Sequence, residues 1–183
     1  KPTFTSFNVS FLLGDFTNTN VSTVYFYPYI GFGGQYGFQL MPDIWLRNNN
    51  WNFKGEYFIL NYPQNTWGLG GNSPDDNETL VDYKHLRIHQ NATIGLFSHL
   101  SAGIGYALDR HFDISVEENE FSDTIMKNFP DHKTMSTSSG IALPVLYDSR
   151  HNSNNPQQGF MGSVTYNFFT RFLGSDNNWQ SVF

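Results

Sequence analysis

Apolar and polar residues alternate with a period of two through most of the chain. In residues 35–47, Tyr36, Phe38, Leu40, Pro42, Ile44 and Leu46 take one face, while Gln35, Gln39, Asp43 and Arg47 share the other. Such alternation predicts a strand with two unlike faces. Asn48-Asn49-Asn50 predicts a tight turn, after which Trp51, Phe53, Tyr57 and Ile59 face one way and Lys54 and Glu56 the other. From Ile94, a further strand sets Leu96, Leu100, Ala102, Ile104, Tyr106 and Leu108 against Thr93, Gly95, His99, Ser101, Gly103 and Gly105. Small residues on that second face suit a barrel wall approached closely by other segments.

The same pattern marks Phe7, Val9, Phe11 and Leu13, and again Ile141, Leu143, Val145 and Tyr147. Phe160, Val164, Tyr166, Phe168 and Phe172 close the series, opposite Ser163, Thr165, Asn167 and Arg171. Residues 21–33 and 80–90 also read as extended, with less regular alternation. Eight strands are expected, with a ninth starting at Asn178, and no segment sustains a helical period.

Composition decides what kind of sheet this is. Aromatic residues make up 17% of the chain and charged residues only 14%, against roughly a quarter in ordinary soluble domains. Mean hydropathy is nevertheless −0.42, so the polarity comes from Asn, Ser, Thr, Gln and Gly. That mixture suits transmembrane strands with one face toward lipid and the other toward a wet interior; a soluble all-β sandwich or barrel fits it as well. No run of eighteen apolar residues occurs, which excludes a spanning helix and leaves a spanning barrel open. The absence of cysteine fits passage through an oxidising compartment. A net charge of −6 offers no footprint for nucleic acid and no polybasic lipid-binding run. The start at Lys1-Pro2-Thr3 has no apolar h-region, as in a mature chain or a fragment.

The expected fold is therefore all-β, a transmembrane antiparallel β-barrel, with residues 1–183 forming a single segment of a larger barrel. Its expected place is the bacterial outer membrane, with lipid against the apolar face. The long polar connections at 61–78 and 109–133 follow even-numbered strands and belong on one side. Turns near 15–20, 48–50, 91–93 and 150–158 belong on the other. Because such barrels have short periplasmic turns and longer outer loops, the first strand starts at the outer surface and a strand is expected before Lys1. Outer-membrane barrels commonly end on an aromatic residue with apolar residues alternating before it. Phe183 and Trp179 fit that spacing, whereas Ser181 breaks it.

The chemistry-bearing constellations are sparse. His85 and His89 share a strand face but lie about 13 Å apart, too far for one ion, and no HExxH or paired cysteine joins them. No metal or other cofactor is expected. Ser101 shares a face with His99 while Ser98 faces away, and no G-x-S-x-G elbow is present, so hydrolysis is a minor alternative and an enzyme is not expected. Asn8, Asn20, Asn77 and Asn91 open N-x-S/T tripeptides, which in a bacterial barrel are turn and strand residues. Asp148 and Arg150, two positions apart on one strand face, are placed for bidentate pairing. Read from the residues alone, that pair is a local ion pair or a strand-end cap. Pro156 interrupts the ladder in a turn and Gly159 permits re-entry into the next strand.

The stretch Tyr147-Asp148-Ser149-Arg150-His151-Asn152, followed by Pro156-Gln157-Gln158-Gly159 and then Leu173-Gly174-Ser175-Asp176-Asn177, resembles the BamA/TamA superfamily, also called the bacterial surface antigen family. In that family a barrel strand ends in a D-x-R-D-N-like motif, turns through P-x-x-G and climbs to an L-G-S-D-type turn. Tyr62-Pro63 followed by Trp67-Gly68-Leu69-Gly70 is similar to a pairing in barrel-only members from Bacteroidetes-like bacteria. His151 departs from the pattern, standing where its second acidic residue would be. The resemblance implies insertion of outer-membrane proteins or polypeptide transport, with client proteins or other subunits of a membrane complex as partners. For the Asp148 and Arg150 pair it implies another role, as anchor of an inward-folded loop. The chain itself carries no periplasmic POTRA domain, which client-inserting members usually have. A pore-forming or structural barrel subunit is the alternative, and an outer-membrane lipid hydrolase the second.

Overall fold

The computed structural model describes residues 3–15, 17–67, 73–117, 134–150 and 155–183. These residues build one antiparallel sheet from eleven strands: β1 (Thr3–Phe4), β2 (Phe7–Phe11), β3 (Ser22–Ile30), β4 (Tyr36–Trp45), β5 (Trp51–Asn61), β6 (Gln64–Thr66), β7 (Thr79–Phe97), β8 (Leu100–Val116), β9 (Met135–Asp148), β10 (Met161–Phe169) and β11 (Trp179–Val182). β1 and β2 follow one another along β3, and β5 and β6 along β7, so the ladder has nine positions in chain order. That agrees with eight strands and the start of a ninth. The described helical turns are three short 3-10 turns, at Arg47–Asn49, Asp75–Asn77 and Arg171–Leu173. The sheet does not close on itself: β1 and β2 form one edge and β11 the other.

Three gaps in the ladder coincide with prolines. β1 and β2 are separated at residues 5 and 6, beside Pro28 on β3. The β4–β5 pairing skips from Leu40↔Tyr57 to Asp43↔Lys54, around Pro42. The β8–β9 pairing skips from Ala102↔Val145 to Gly105↔Ala142, around Pro144. Proline has no N–H to donate, so each of these strands keeps its pairing on one side and interrupts it on the other.

Several expected boundaries move. The turn expected at 91–93 is the middle of β7; the chain reverses instead at Ser98 and His99, with Phe97 paired to Leu100. Asn91 and Thr93 have turn chemistry, but here they face the polar side of the sheet, opposite Gly105 and Gly103, where polar residues are at home. Asp109 does not open a loop: β8 continues to Val116, leaving the connection at 117–134. After β5, the short strand β6 prolongs the pairing with β7, so the other long connection shrinks to 67–78. Phe172 leaves the β10 face, because the strand ends at Phe169 and Thr170 caps a 3-10 turn through its side chain. At the C-terminus Phe183 exchanges backbone hydrogen bonds with Thr165, placing it on the face of Ser181 and Asn167, while Val182 takes the apolar side.

Residues paired directly across neighbouring strands share a face. One face carries the row Phe7, Phe26, Leu40, Tyr57, Ile88, Leu108, and further along Trp51, Ile94, Ala102, Val145, Val164. The other carries Gln39, Phe58, Arg87, Asp109, Ser138, and beside it Glu56, His89, Ala107, Gly140. Exposure runs opposite to that of a soluble protein. Ile104 is 59% exposed and Leu143 46% on the apolar face, whereas Ala107 and Ala142 on the polar face are 1% and 3% exposed. The described residues form a single sheet with no second layer among them, and such a sheet buries one face only by curving around it, so the polar face is the concave one. The total accessible surface, 12133 Å², exceeds the roughly 9,000 Å² expected of a compact soluble chain of this mass.

Two polar clusters within the apolar stretch are internally satisfied. The Tyr57 hydroxyl donates to Gln90, whose amide nitrogen donates to the carbonyls of Asn91 and Lys54 at 2.8 and 3.3 Å. Tyr106 and Ser139 join hydroxyl to hydroxyl at 2.9 Å. Gly103 and Gly105 answer to the expected close approach: a Cβ on Gly103 would collide with the Ala92 carbonyl, and one on Gly105 with the Asn91 side chain.

Candidate functional site

Two charged sites stand out on the polar side. The first spans β4, β5, β7 and β8. Inward-facing Asp109 on β8 lies opposite Arg87 on β7, with His85 and His89 one step to either side on the same face. The Asp109 carboxylate accepts from Arg87 Nε at 2.7 Å and sits 2.9 Å from His85 Nε2 and 2.7 Å from His89 Nε2. A carboxylate can only accept, which fixes the proton of each imidazole on Nε2. Arg87 Nη1 reaches Glu56 on β5 at 3.5 Å, and Gln39 on β4 donates to the same Glu56 oxygen at 3.1 Å. The guanidinium also lies over the Phe58 ring, 5.0 Å from its centroid.

The two histidines that sequence spacing set too far apart for one ion are thus held by the two oxygens of one carboxylate. With Arg87 filling the space beside them, the cluster is an ion-pair network rather than a ligand cage. No group of three or more His, Cys, Asp or Glu residues suited to a metal occurs among the described residues.

An aromatic strip adjoins this network on the same face. His85 stacks on His111 with centroids 3.9 Å apart and meets Phe58 edge-on at 4.7 Å. His111 leads to Tyr83 at 5.6 Å, Tyr83 to Tyr62 at 6.4 Å, and Tyr62 to Tyr29 at 6.5 Å. Tyr27 and Tyr25 continue down β3, stacked 6.0 Å apart. None of these contacts is local in sequence apart from the last.

The second site lies at the end of β9. Arg150 has left the strand, yet its Nε and Nη2 donate to the two oxygens of Asp148 at 2.9 and 2.7 Å, and its backbone N–H adds a third bond at 3.1 Å. This is the expected bidentate pair, in local form. Asp148 lies just past Tyr147, the last exposed apolar residue of β9, and the hydrogen bonds from Arg150 hold its carboxyl below the usual carboxylate range. Ser149 donates its backbone N–H to the Phe160 carbonyl, and its hydroxyl oxygen accepts from the Phe160 N–H. Gly159 closes this junction at φ 98°, and a Cβ there would collide with the Ser149 carbonyl.

The remaining motif residues divide. Gly174, at φ 91°, ends the Arg171–Leu173 turn, and Asp176 caps the backbone of β9 at Thr137 with 2.8 Å. Pro156 is exposed in the connection before Gly159. His151 and Asn152, and Gly68, Leu69 and Gly70, lie outside the described residues. His99 sits in the β7–β8 turn, where its carbonyl accepts from the Asp148 N–H at 2.8 Å. Ser101 pairs within the ladder with Gly95 and Leu146, and no hydrogen bond joins it to His99. The shared strand face expected for that pair is replaced by a turn.

No family model, no curated protein and no solved structure matches the chain.

Proposed function

We propose that this chain is part of the wall of a bacterial outer-membrane β-barrel, with lipid against its apolar face and water against its polar one. The supporting observation is the inverted exposure of the sheet: its large hydrophobic side chains are the exposed ones. On β7 the apolar stretch runs from Leu86 to Leu96, ending at Lys84 on one side and the Ser98–His99 reversal on the other. On β8 it ends at Arg110. The ten steps from Leu86 to Leu96, at roughly 3.3 Å each and tilted by about 40°, cover a height of about 25 Å, the apolar band of such barrels. The two satisfied polar clusters on that face fit the same reading, because a bare polar group facing hydrocarbon is costly.

The finer assignment is to the BamA/TamA type, acting in insertion of outer-membrane proteins or polypeptide transport. It draws on the Asp148–Arg150 fork, the strained turn at Gly159 and the left-handed Gly174. A structural or pore-forming subunit is the second reading, favoured by the cross-strand network around Asp109, which braces a polar wall. The lipid-hydrolase reading has no contact between Ser101 and His99 to support it.

The wall reading is tested by fractionation and gel migration. The protein is expected in the outer-membrane fraction with heat-modifiable migration, and Leu143→Arg is expected to lower the assembled fraction. Recovery as a soluble protein would refute it. For the finer role, depletion is expected to leave unfolded outer-membrane proteins accumulating in the periplasm; unchanged assembly would favour the structural or pore reading.

A further inference from the structure

We propose that the aromatic strip on the polar face is a binding track for a neutral oligosaccharide. It rests on the reading of that face as the water-filled side of a barrel wall. Tyr29, Tyr62, Tyr83, His111, His85 and Phe58 make successive ring contacts of 3.9 to 6.5 Å across four strand positions; Tyr29 and Phe58 are buried at the two ends of the row, and the four rings between them are half-buried and open to a ligand. Rings at the lipid face need no special account, but a continuous row on the polar face does. Tyr62 and Tyr83 are half-buried, and their hydroxyls are not engaged by a hydrogen bond among the described residues. They lie beyond Lys84, past the end of the apolar stretch, so the strip begins at a mouth of the wall and descends toward its middle.

Its lower end meets Arg87, Glu56, Gln39 and His89, planar groups of which Arg87 donates, Glu56 accepts, and Gln39 and a neutral His89 can do both. Aromatic faces beside a few such groups form the usual lining of a small-molecule site. The combination suits a ligand whose C–H faces stack on rings while its hydroxyls face the polar groups, which is the chemistry of a sugar. Charge argues for a neutral one: Asp43, Glu56 and Asp109 outnumber Lys54 and Arg87 on this part of the face. Rows on one face repeat every two residues, roughly 7 Å. From Tyr62 and Tyr83 to Tyr25 the strip covers four rows, a length for several sugar units rather than one.

The test uses the full protein in detergent, with maltohexaose, cellohexaose and chitohexaose as probes and saturation transfer from aromatic protons as readout. At least one hexasaccharide is expected to bind saturably. Replacing Tyr62 and Tyr83 together by Ala is expected to weaken binding at least tenfold, and replacing both by Phe to change it less than threefold, since the rings remain. Tyr36→Ala, on the apolar face, is expected to change nothing. Binding that survives the double alanine change would overturn the track, as would saturable binding of an unfolded polypeptide with none of the sugars. Absence of sugar binding in protein that keeps heat-modifiable migration overturns the track alone. Sugar binding without that migration overturns the wall reading and upholds the track.

Discussion

Asp109 and Asp148 are both carboxylates gripped by an arginine, but they are built in opposite ways. Asp148 and Arg150 are two residues apart, and their fork closes within one strand end. Asp109 draws partners from a neighbouring strand 20 to 24 residues away, and the network goes on through Glu56 to Gln39 on a fourth strand. One site needs only a local turn; the other exists only when β4, β5, β7 and β8 are in register. The first serves as a clasp at a junction, while the second depends on the assembly of four strands in the middle of the sheet.

Removing each carboxylate tests that contrast. Asp109→Ala leaves Arg87, His85 and His89 without their shared acceptor on a half-buried face, and is expected to cost about 1–3 kcal/mol in urea unfolding. Its effect is expected to be non-additive with His89→Ala by at least about 0.5 kcal/mol, because both act through one network. Additive behaviour would mean that the network is a set of independent pairs.

The junction beside Asp148 depends on backbone more than charge. Gly159→Ala adds a side chain at positive φ against the Ser149 carbonyl and is expected to cost about 1–2 kcal/mol by the same measurement. A neutral outcome would show that the 149–160 connection can rearrange freely. Asp148→Asn is expected to cost below about 1 kcal/mol, as the pair is local and partly exposed. Its carboxyl is held below the usual range in the folded state, so its stabilisation is present above the unfolded carboxylate pKa and fades as pH falls through the lower folded value. The difference between the parent protein and Asp148→Asn should therefore vanish on acidification; a difference that grows would reverse the assignment.

The same contrast explains what was legible in the sequence. The Asp148–Arg150 pair and the special role of Gly159 could be read from a few adjacent residues. The alternation of β4, β5, β9 and β10 was equally plain, because a strand's two faces are written at alternate positions. The Asp109 network was not, since nothing near Asp109 marks Arg87 or Glu56 as its neighbours; only register does that. Asn91 and Thr93 misled for a related reason. Turn-forming residues and residues of a polar sheet face have the same chemistry, and the Ser98–His99 reversal lacks a glycine or proline to announce it. A pattern of tyrosines and histidines at alternate positions on β3 and β7 was the one available hint of the aromatic strip.

The central claim is that the exposed apolar face meets lipid and the polar face meets water. The chain has no cysteine, so single cysteines at each of positions 141, 142, 143, 145, 146 and 147 of β9 can carry a polarity-sensitive fluorophore in reconstituted bilayers. Brominated acyl chains are expected to quench the probe at Ile141, Leu143, Val145 and Tyr147, and aqueous iodide to act at Ala142 and Leu146. Iodide quenching at all six positions, with no response to the brominated chains, would contradict the account.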